Sequence, residues 1–253
     1  MKKSLILTIF ITLLSTLYAV DFHELLLKAD ALASYTESDF SAEYTIVHDK
    51  PGEGRDTTVA AIFRRDKIEQ YVIIILEPDI NRGQGYLKLE DTLWFYDPEG
   101  RRFNYSSSKD RFQNSNARNS DFTRSTLADD YIVRSGERVK LGNYDCWLLE
   151  LEANNDEVTY PIMKIWISDD NLVRKTEDYS LSNQLLRTTA IPSYQKVGIR
   201  YIPALIYYFD ALEGAVIDGK FVSEKTVISI KKTSFRDIPG NVFTKNFLER
   251  SAQ

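Results

Sequence analysis

The sequence predicts a mainly β protein with few helices, built on one large curved antiparallel sheet or barrel. After Tyr35 the chain falls into short runs of β-branched and aromatic residues. Turn chemistry separates the runs at Pro51-Gly52, Asp97-Pro98-Glu99-Gly100, Gly142-Asn143 and Asp169-Asp170-Asn171. Within many runs apolar and polar residues alternate, the period of a strand with two unlike faces. Short strands that follow one another this closely favour a curved sheet or barrel.

The elements follow in order. Lys2 and Lys3, the apolar stretch from Leu5 to Leu14 and the Leu17-Tyr18-Ala19 site predict a signal peptide over residues 1–19, with one domain over 20–253. The apolar stretch is short for a bilayer span. Phe22, Leu25, Leu26, Ala29, Leu32 and Ala33 share one helical face, with Asp21 and Glu24 near the positive end of the dipole. Strands are predicted near Ser41 to His48, Thr57 to Arg65, Ile68 to Leu76, Gly85 to Leu89, Leu93 to Tyr96 and Arg102 to Ser106. A second set covers Ile132 to Lys140, Tyr144 to Glu152, Met163 to Ile167, Arg174 to Tyr179, Leu185 to Ile191, Ile202 to Phe209 and Lys225 to Thr233. Asp237-Ile-Pro-Gly ends the last strand, and Val242 to Arg250 predicts a terminal turn or helix.

Alternation marks the apolar face. Leu87 and Leu89 oppose Tyr86, Lys88 and Glu90; Phe103 and Tyr105 oppose Arg102, Asn104 and Ser106; Met163, Ile165 and Ile167 oppose Lys164 and Trp166. Tyr71 to Leu76 is apolar on both faces, which predicts an outer cover, with the N-terminal helix the expected element. A greasy sheet face is covered by its own side chains or by a guest, and composition does not separate the two.

Charge narrows the classes of partner. The chain carries 32 Lys and Arg against 37 Asp and Glu, a formal charge of −5 that becomes −7 once residues 1–19 are removed. Nucleic acid is an unsuitable partner for such a chain. Cys146 is the single cysteine, reads as a buried strand residue, and leaves no intramolecular disulfide. His23 and His48 stand apart and outside any catalytic or metal-binding motif, so each reads as a surface or capping residue. Asp169-Asp170-Asn171 lacks the ligand spacing of a calcium loop, and Asp129-Asp130 are adjacent carboxylates that point apart. No catalytic residue, metal site or cofactor is expected. Arg101, Arg102, Lys109, Arg111, Arg118 and Arg124 form a locally basic segment, read as solvated loop charge or as an attraction for anionic headgroups or an acidic partner.

The order of TLWFYDPEGRRF, SDFTRSTLADDY, YDCWLLEL, MKIWISDDNLVRKTEDYSLSNQLLRT, KTVISIKKTSF and VFTKNFLER resembles the outer-membrane lipoprotein-sorting protein family, the LolA-like carriers. The likeness runs from about Gly83 to Arg250, with no firm correspondence between Gln195 and Phe221. The resemblance implies a half-open β-barrel with a helical lid, a single LolA/LolB-like domain. It further implies a soluble, monomeric periplasmic carrier that shields lipoprotein acyl chains, or another envelope lipid, on the way from inner to outer membrane. The implied partners are an inner-membrane ABC transporter of the LolCDE or MacB type and an outer-membrane acceptor. The absence of a cysteine after the apolar run favours the carrier over a lipid-anchored acceptor.

Each methylene withdrawn from water contributes about 0.8 kcal/mol, so shielding suits an apolar wall and a lid rather than strict polar geometry. Leu87, Leu89, Trp94, Tyr96, Phe103 and Tyr105 are the expected cavity wall, with Phe122 and Leu127 on the lid. Two other uses of the chain remain: a lipid or lipoprotein sensor or accessory subunit of an envelope ABC or RND transporter, and an exported enzyme with an unrecognised site.

Overall fold

The computed structural model describes residues 20–252, so the expected signal peptide lies outside the described residues. Helix α1 spans Phe22–Ala33, and the Asp21 carboxylate caps it by accepting the Glu24 N–H at 3.1 Å. Strands β1 (Phe40–Lys50), β2 (Gly54–Arg65), β3 (Gln70–Glu77), β4 (Gly85–Leu89), β5 (Thr92–Asp97) and β6 (Arg102–Ser106) follow. After a long connection come the short helix α2 (Leu127–Asp130) and strands β7 (Tyr131–Leu141), β8 (Tyr144–Ala153), β9 (Ile162–Ser168) and β10 (Val173–Tyr179). Strands β11 (Leu185–Val197), β12 (Arg200–Ile217) and β13 (Lys220–Ser234) lead to helix α3 (Lys245–Ser251).

All thirteen strands form one antiparallel sheet, in the order β6-β5-β4-β3-β2-β1-β13-β12-β11-β10-β9-β8-β7. Each strand pairs with its sequence neighbour, except where β1 meets β13 in the middle and β6 and β7 end as free edges. The mainly β architecture read from the sequence is therefore the observed one, and of the sheet and the barrel that reading allowed, the open sheet is found. The segment from Ser107 to Thr126 runs between the two edge strands, so the connection that closes the gap is dictated by chain order.

The inner face of the sheet is covered in two ways. Over β1–β5, Tyr44, Ile62, Ile73, Tyr86 and Leu93 pack against Phe112 and Phe122 of the connecting segment. Over β7–β9, Leu149, Leu151, Ile165 and Ile167 pack against Leu25, Leu26 and Ala29 of α1 and Ala128 of α2. On the outer face a third cluster joins Val72, Ile74, Leu87 and Tyr96 to Phe243 and Leu248 of the C-terminal segment.

That third cluster corrects the expected cover of Tyr71–Leu76. The strand is apolar on both faces because it is buried on both, but α3 rather than the N-terminal helix lies over its outer face. Gly85 makes the approach possible: a Cβ there would sit 2.6 Å from Leu248 Cδ2 and 2.9 Å from the Ile73 carbonyl oxygen.

Candidate functional site

Where α1 and the connecting segment do not fill the inner face, a cavity of about 310 Å³ remains over β10–β13. That lies at the small end of the ~300–1,000 Å³ range of ligand pockets. Its walls are largely apolar: Ile191, Ile202, Ile206 and Ile228 from the sheet and Leu172 from the β9–β10 turn, faced by Ala29 and Leu32 of α1. The alternation that aims Ile202, Ile206 and Tyr208 inward is the ordinary pleat of β12.

The roof is the stretch Ser120–Ser125 with Leu127, so both expected lid residues, Phe122 and Leu127, border the cavity. Phe122 is nearly fully buried, its ring 4.5 Å from that of Phe112 and 6.0 Å from that of Tyr44. A more polar cleft of about 490 Å³ lies on the far side of the same roof, lined by Glu69, Lys88, Asp91, Asp129 and Asp130. Thus the roof is a strap, with space on either side.

Three polar ties hold the strap. At the first, Arg187 on β11 donates from Nε to Asp178 of β10 at 2.9 Å and from its two terminal nitrogens to Asp121 of the strap at 2.6 and 3.1 Å. The Tyr160 and Tyr208 rings lie 4.8 and 4.7 Å from the guanidinium. Burial would strip the charge from Arg187, but the two carboxylates raise its pKa well above the ordinary value. Asp178 is wholly buried; burial raises its pKa, against the opposing pull of Arg187.

At the second tie, Asp30 of α1 accepts from Ser125 Oγ at 2.6 Å and from the Leu127 and Ala128 N–H groups at 3.0 and 2.8 Å, capping α2 from a neighbouring helix. The third is Arg124 to Glu69, at 3.0 and 2.6 Å, whose hydrogen bonds hold the Glu69 carboxyl below its ordinary range. Separately, Arg64 grips Asp66 at 2.9 and 2.6 Å, and Asp66 accepts the Tyr35 N–H at 2.8 Å, fixing the end of α1 to the sheet.

The basic segment is thereby largely spent inside the molecule. Arg111 pairs with Asp210 and Glu213 at 2.8 and 3.0 Å, Arg118 reaches the Tyr160 hydroxyl at 3.4 Å, and Lys109 donates to the Asp156 carbonyl at 2.7 Å. Arg101 and Arg102 stay exposed.

The six expected wall residues do not line this cavity. Leu87, Leu89, Trp94, Tyr96 and Phe103 belong to the outer-face cluster beneath the C-terminal segment. The Lys245 ammonium lies 3.2 Å from the Trp94 ring centroid, and Tyr105, 77% exposed, stacks on Trp94 at 4.1 Å. Sequence alternation separated the two faces of β4–β6 correctly, but both faces of β4 are apolar contacts, since Tyr86 is buried on the inner side. Register alone cannot say which face is concave.

His48 is a second correction. It is buried, not a surface or capping residue: Nδ1 lies 3.0 Å from Thr226 Oγ1 and Nε2 3.3 Å from Glu224 Oε2. Thr226 Oγ1 also accepts the Asn116 N–H at 2.8 Å, which ties the imidazole and the connecting segment to one hydroxyl. The order hydroxyl–imidazole–carboxylate resembles a nucleophilic triad, yet Thr226 is 0% exposed and borders neither space beside the strap. The arrangement clamps the connecting segment at Asn116 to β13. Among the described residues no group of three or more His, Cys, Asp or Glu side chains is placed to hold a metal ion. Cys146 is buried, and burial raises its thiol pKa.

An open antiparallel sheet folded around an apolar cavity, with a strap across its mouth, defines a LolA-like fold. A family model described as "Uncharacterized protein" matches residues 67–250, and the chain belongs to that family. Among solved structures, a LolA superfamily protein from Nitrosomonas europaea is 25% identical, with a TM-score of 0.76 over 90% of this chain and 100% of its own. A domain described as an outer membrane lipoprotein-sorting protein domain, from Vibrio parahaemolyticus, is 17% identical, with a TM-score of 0.77 over 90% of this chain and 98% of that one. A DUF1329 family protein from Desulfovibrio piger is 18% identical, with a TM-score of 0.75 over 89% and 97% of the two chains. No curated protein matches the chain.

Several cavity residues escaped the sequence reading. Ile206 and Tyr208 lie in Tyr201-Ile-Pro-Ala-Leu-Ile-Tyr-Tyr-Phe209, a run apolar at both parities, so alternation is silent there. Arg187 and Asp178 carried a usable signal: a lone cation in Leu185-Leu-Arg-Thr-Thr and an acid between strand residues are each costly unless paired. Their cross-strand register, Asp178 opposite Arg187, is a tertiary fact.

Proposed function

We propose that the protein is a periplasmic carrier that shields an acyl chain in the cavity over β10–β13. The observation that carries this reading is a largely apolar space roofed by a strap that polar ties, not apolar packing alone, hold in place. Apolar walls supply stabilisation in proportion to buried area without demanding one geometry, which suits a guest of variable length. Polar ties can be exchanged for water when the strap lifts, so closed and open states can lie a few kcal/mol apart.

In this reading Ile191, Ile202 and Ile206 form the wall, and Phe122 and Leu127 the movable side. The cargo is the acyl portion of a lipoprotein or another envelope lipid. Loading from an inner-membrane ABC transporter and delivery to an outer-membrane acceptor complete the proposed cycle. The solved LolA superfamily structure at 25% identity supports the choice of a lipid-binding role over chemistry.

Two substitutions test the site. Ile206→Glu places a charge in the cavity and is expected to reduce uptake of a fluorescent fatty acid at least tenfold while the circular dichroism of the sheet is retained. Leu89→Glu lies beneath the C-terminal segment and is expected to lower thermal stability, leaving uptake by the folded fraction intact. Loss of uptake in Leu89→Glu with full uptake in Ile206→Glu would move the guest to the outer face. Absence of uptake by the wild type, together with no co-purifying lipid in native mass spectrometry, would remove the carrier reading altogether.

A further inference from the structure

Beyond the cavity, the unusual feature is the far end of β12 and β13. The last β12–β11 pair is Arg187 with Asp210, and the last β13–β1 pair is Asp49 with Lys225. Past these points the two strands continue alone, pairing Gly214 with Ser223, Ala215 with Val222, Val216 with Phe221 and Ile217 with Lys220. Asp218 and Gly219 close the ribbon with φ of 49° and 76°, the conformation of a tight hairpin turn. A bulge at its base is pinned by Asp210, whose Oδ1 accepts the Leu212 and Glu213 N–H groups at 2.8 and 2.9 Å.

This arm is apolar where water meets it. Val216 is 72% exposed and Phe221 54%, and Ile217 and Val222 are also exposed. Gly214 lets the facing backbone of β13 approach: a Cβ there would collide with the Val222 carbonyl oxygen and sit 2.9 Å from Phe221 Cζ. Among the described residues both outer strand edges lack a neighbour, and no proline or bulge protects the four residues on either side of the turn.

We propose that the arm pairs, edge to edge along β12, with the same arm of a second copy of this chain. Opposed residues in an antiparallel pair share a face. A two-fold axis through Val216 therefore lines up Phe221, Val216, the second Val216 and the second Phe221 as one apolar row across four strands. On the other face Ala215 meets Ile217 of the second copy. No charged side chain opposes a like charge at the new seam, which matters for a chain of formal charge −5. Such an isologous pairing satisfies the free backbone groups and the apolar row together.

A lipid surface satisfies less of this. Insertion would lead with Asp218 and Lys220 at the turn and would carry unpaired amides into hydrocarbon. The arm also stands at the end filled by the connecting segment around Asn116 and Thr226, whereas Tyr201, Pro203 and Leu32 put the cavity toward the β11–β12 turn. Pairing through the arm leaves that end of both copies free.

The test uses the mature protein. Sedimentation equilibrium over a concentration series is expected to return twice the monomer mass, and Val216→Glu/Phe221→Glu to return the monomer with the acyl-probe uptake of the wild type. Val216→Cys places its thiols across the proposed axis and is expected to form an intermolecular disulfide under mild oxidation; the native thiol at Cys146 is buried and does not compete. A wild type that stays monomeric throughout, or a Val216→Cys that fails to cross-link, overturns the proposal. Monomeric protein that co-sediments with phosphatidylethanolamine/phosphatidylglycerol vesicles, and loses this in the double variant, reassigns the arm to a lipid surface. Because uptake is measured separately, failure of the pairing does not touch the carrier reading.

Discussion

At the scale of single residues, the strap depends on a few buried charges whose partners lie on different elements. Arg187 serves Asp178 and Asp121 at once, so its removal leaves Asp178 buried without a cation. Arg187→Met is expected to cost about 3–5 kcal/mol, the penalty for an orphaned buried charge, read by urea denaturation at pH 7. The sign of its pH dependence follows from burial, which raises the Asp178 pKa in the folded state. A carboxyl raised in this way contributes stability that is present below its unfolded pKa and lost as pH rises through the folded one. The variant should therefore regain stability on acidification toward the ordinary carboxylate range. A uniform deficit at every pH would mean that Asp178 is not the group left behind.

At the scale of elements, the same sheet is covered by different means on its two faces. Helix α1 is amphipathic and lies on the inner face, as its apolar stripe demands. Helix α3 is short and too brief to be stable alone, yet it holds Leu248 at 0% exposure between β3 and β4. Leu248→Ala is expected to cost about 2–5 kcal/mol through lost burial and a residual cavity, measured as a fall in the midpoint of chemical unfolding. The slope of that transition should not change. Tyr105, largely exposed at the edge strand, should tolerate alanine with far less loss.

At the scale of the whole molecule, an incompletely filled sheet should gain stability from its guest. A fatty acid present at a hundred times its dissociation constant is expected to add about 2.7 kcal/mol by mass action, seen as a rise in Tm that Ile206→Glu abolishes. The strands themselves were legible: β4, β5 and β6 begin or end within a residue of where alternation and turns put them. The arm was not. The predicted strands stop at Phe209 and resume at Lys225, although Asp218-Gly219 between apolar residues is a hairpin signal.

By itself the sequence determined the alternation of strands such as those around Leu87 and Phe103, the helical face from Phe22 to Ala33 and the resemblance to the LolA-like family. It also separated Leu87, Leu89, Trp94, Tyr96 and Phe103 from Tyr86 and Leu93 as two faces of one region. Only the tertiary structure decided which of those faces is concave, that α3 covers the outer one, and that the open space lies over β10–β13 instead. The physical reason is that alternation reports how many faces a strand buries, whereas curvature and the landing place of a distant helix depend on contacts between residues far apart in the chain. Leu248 against Gly85 and Arg187 against Asp121 are such contacts.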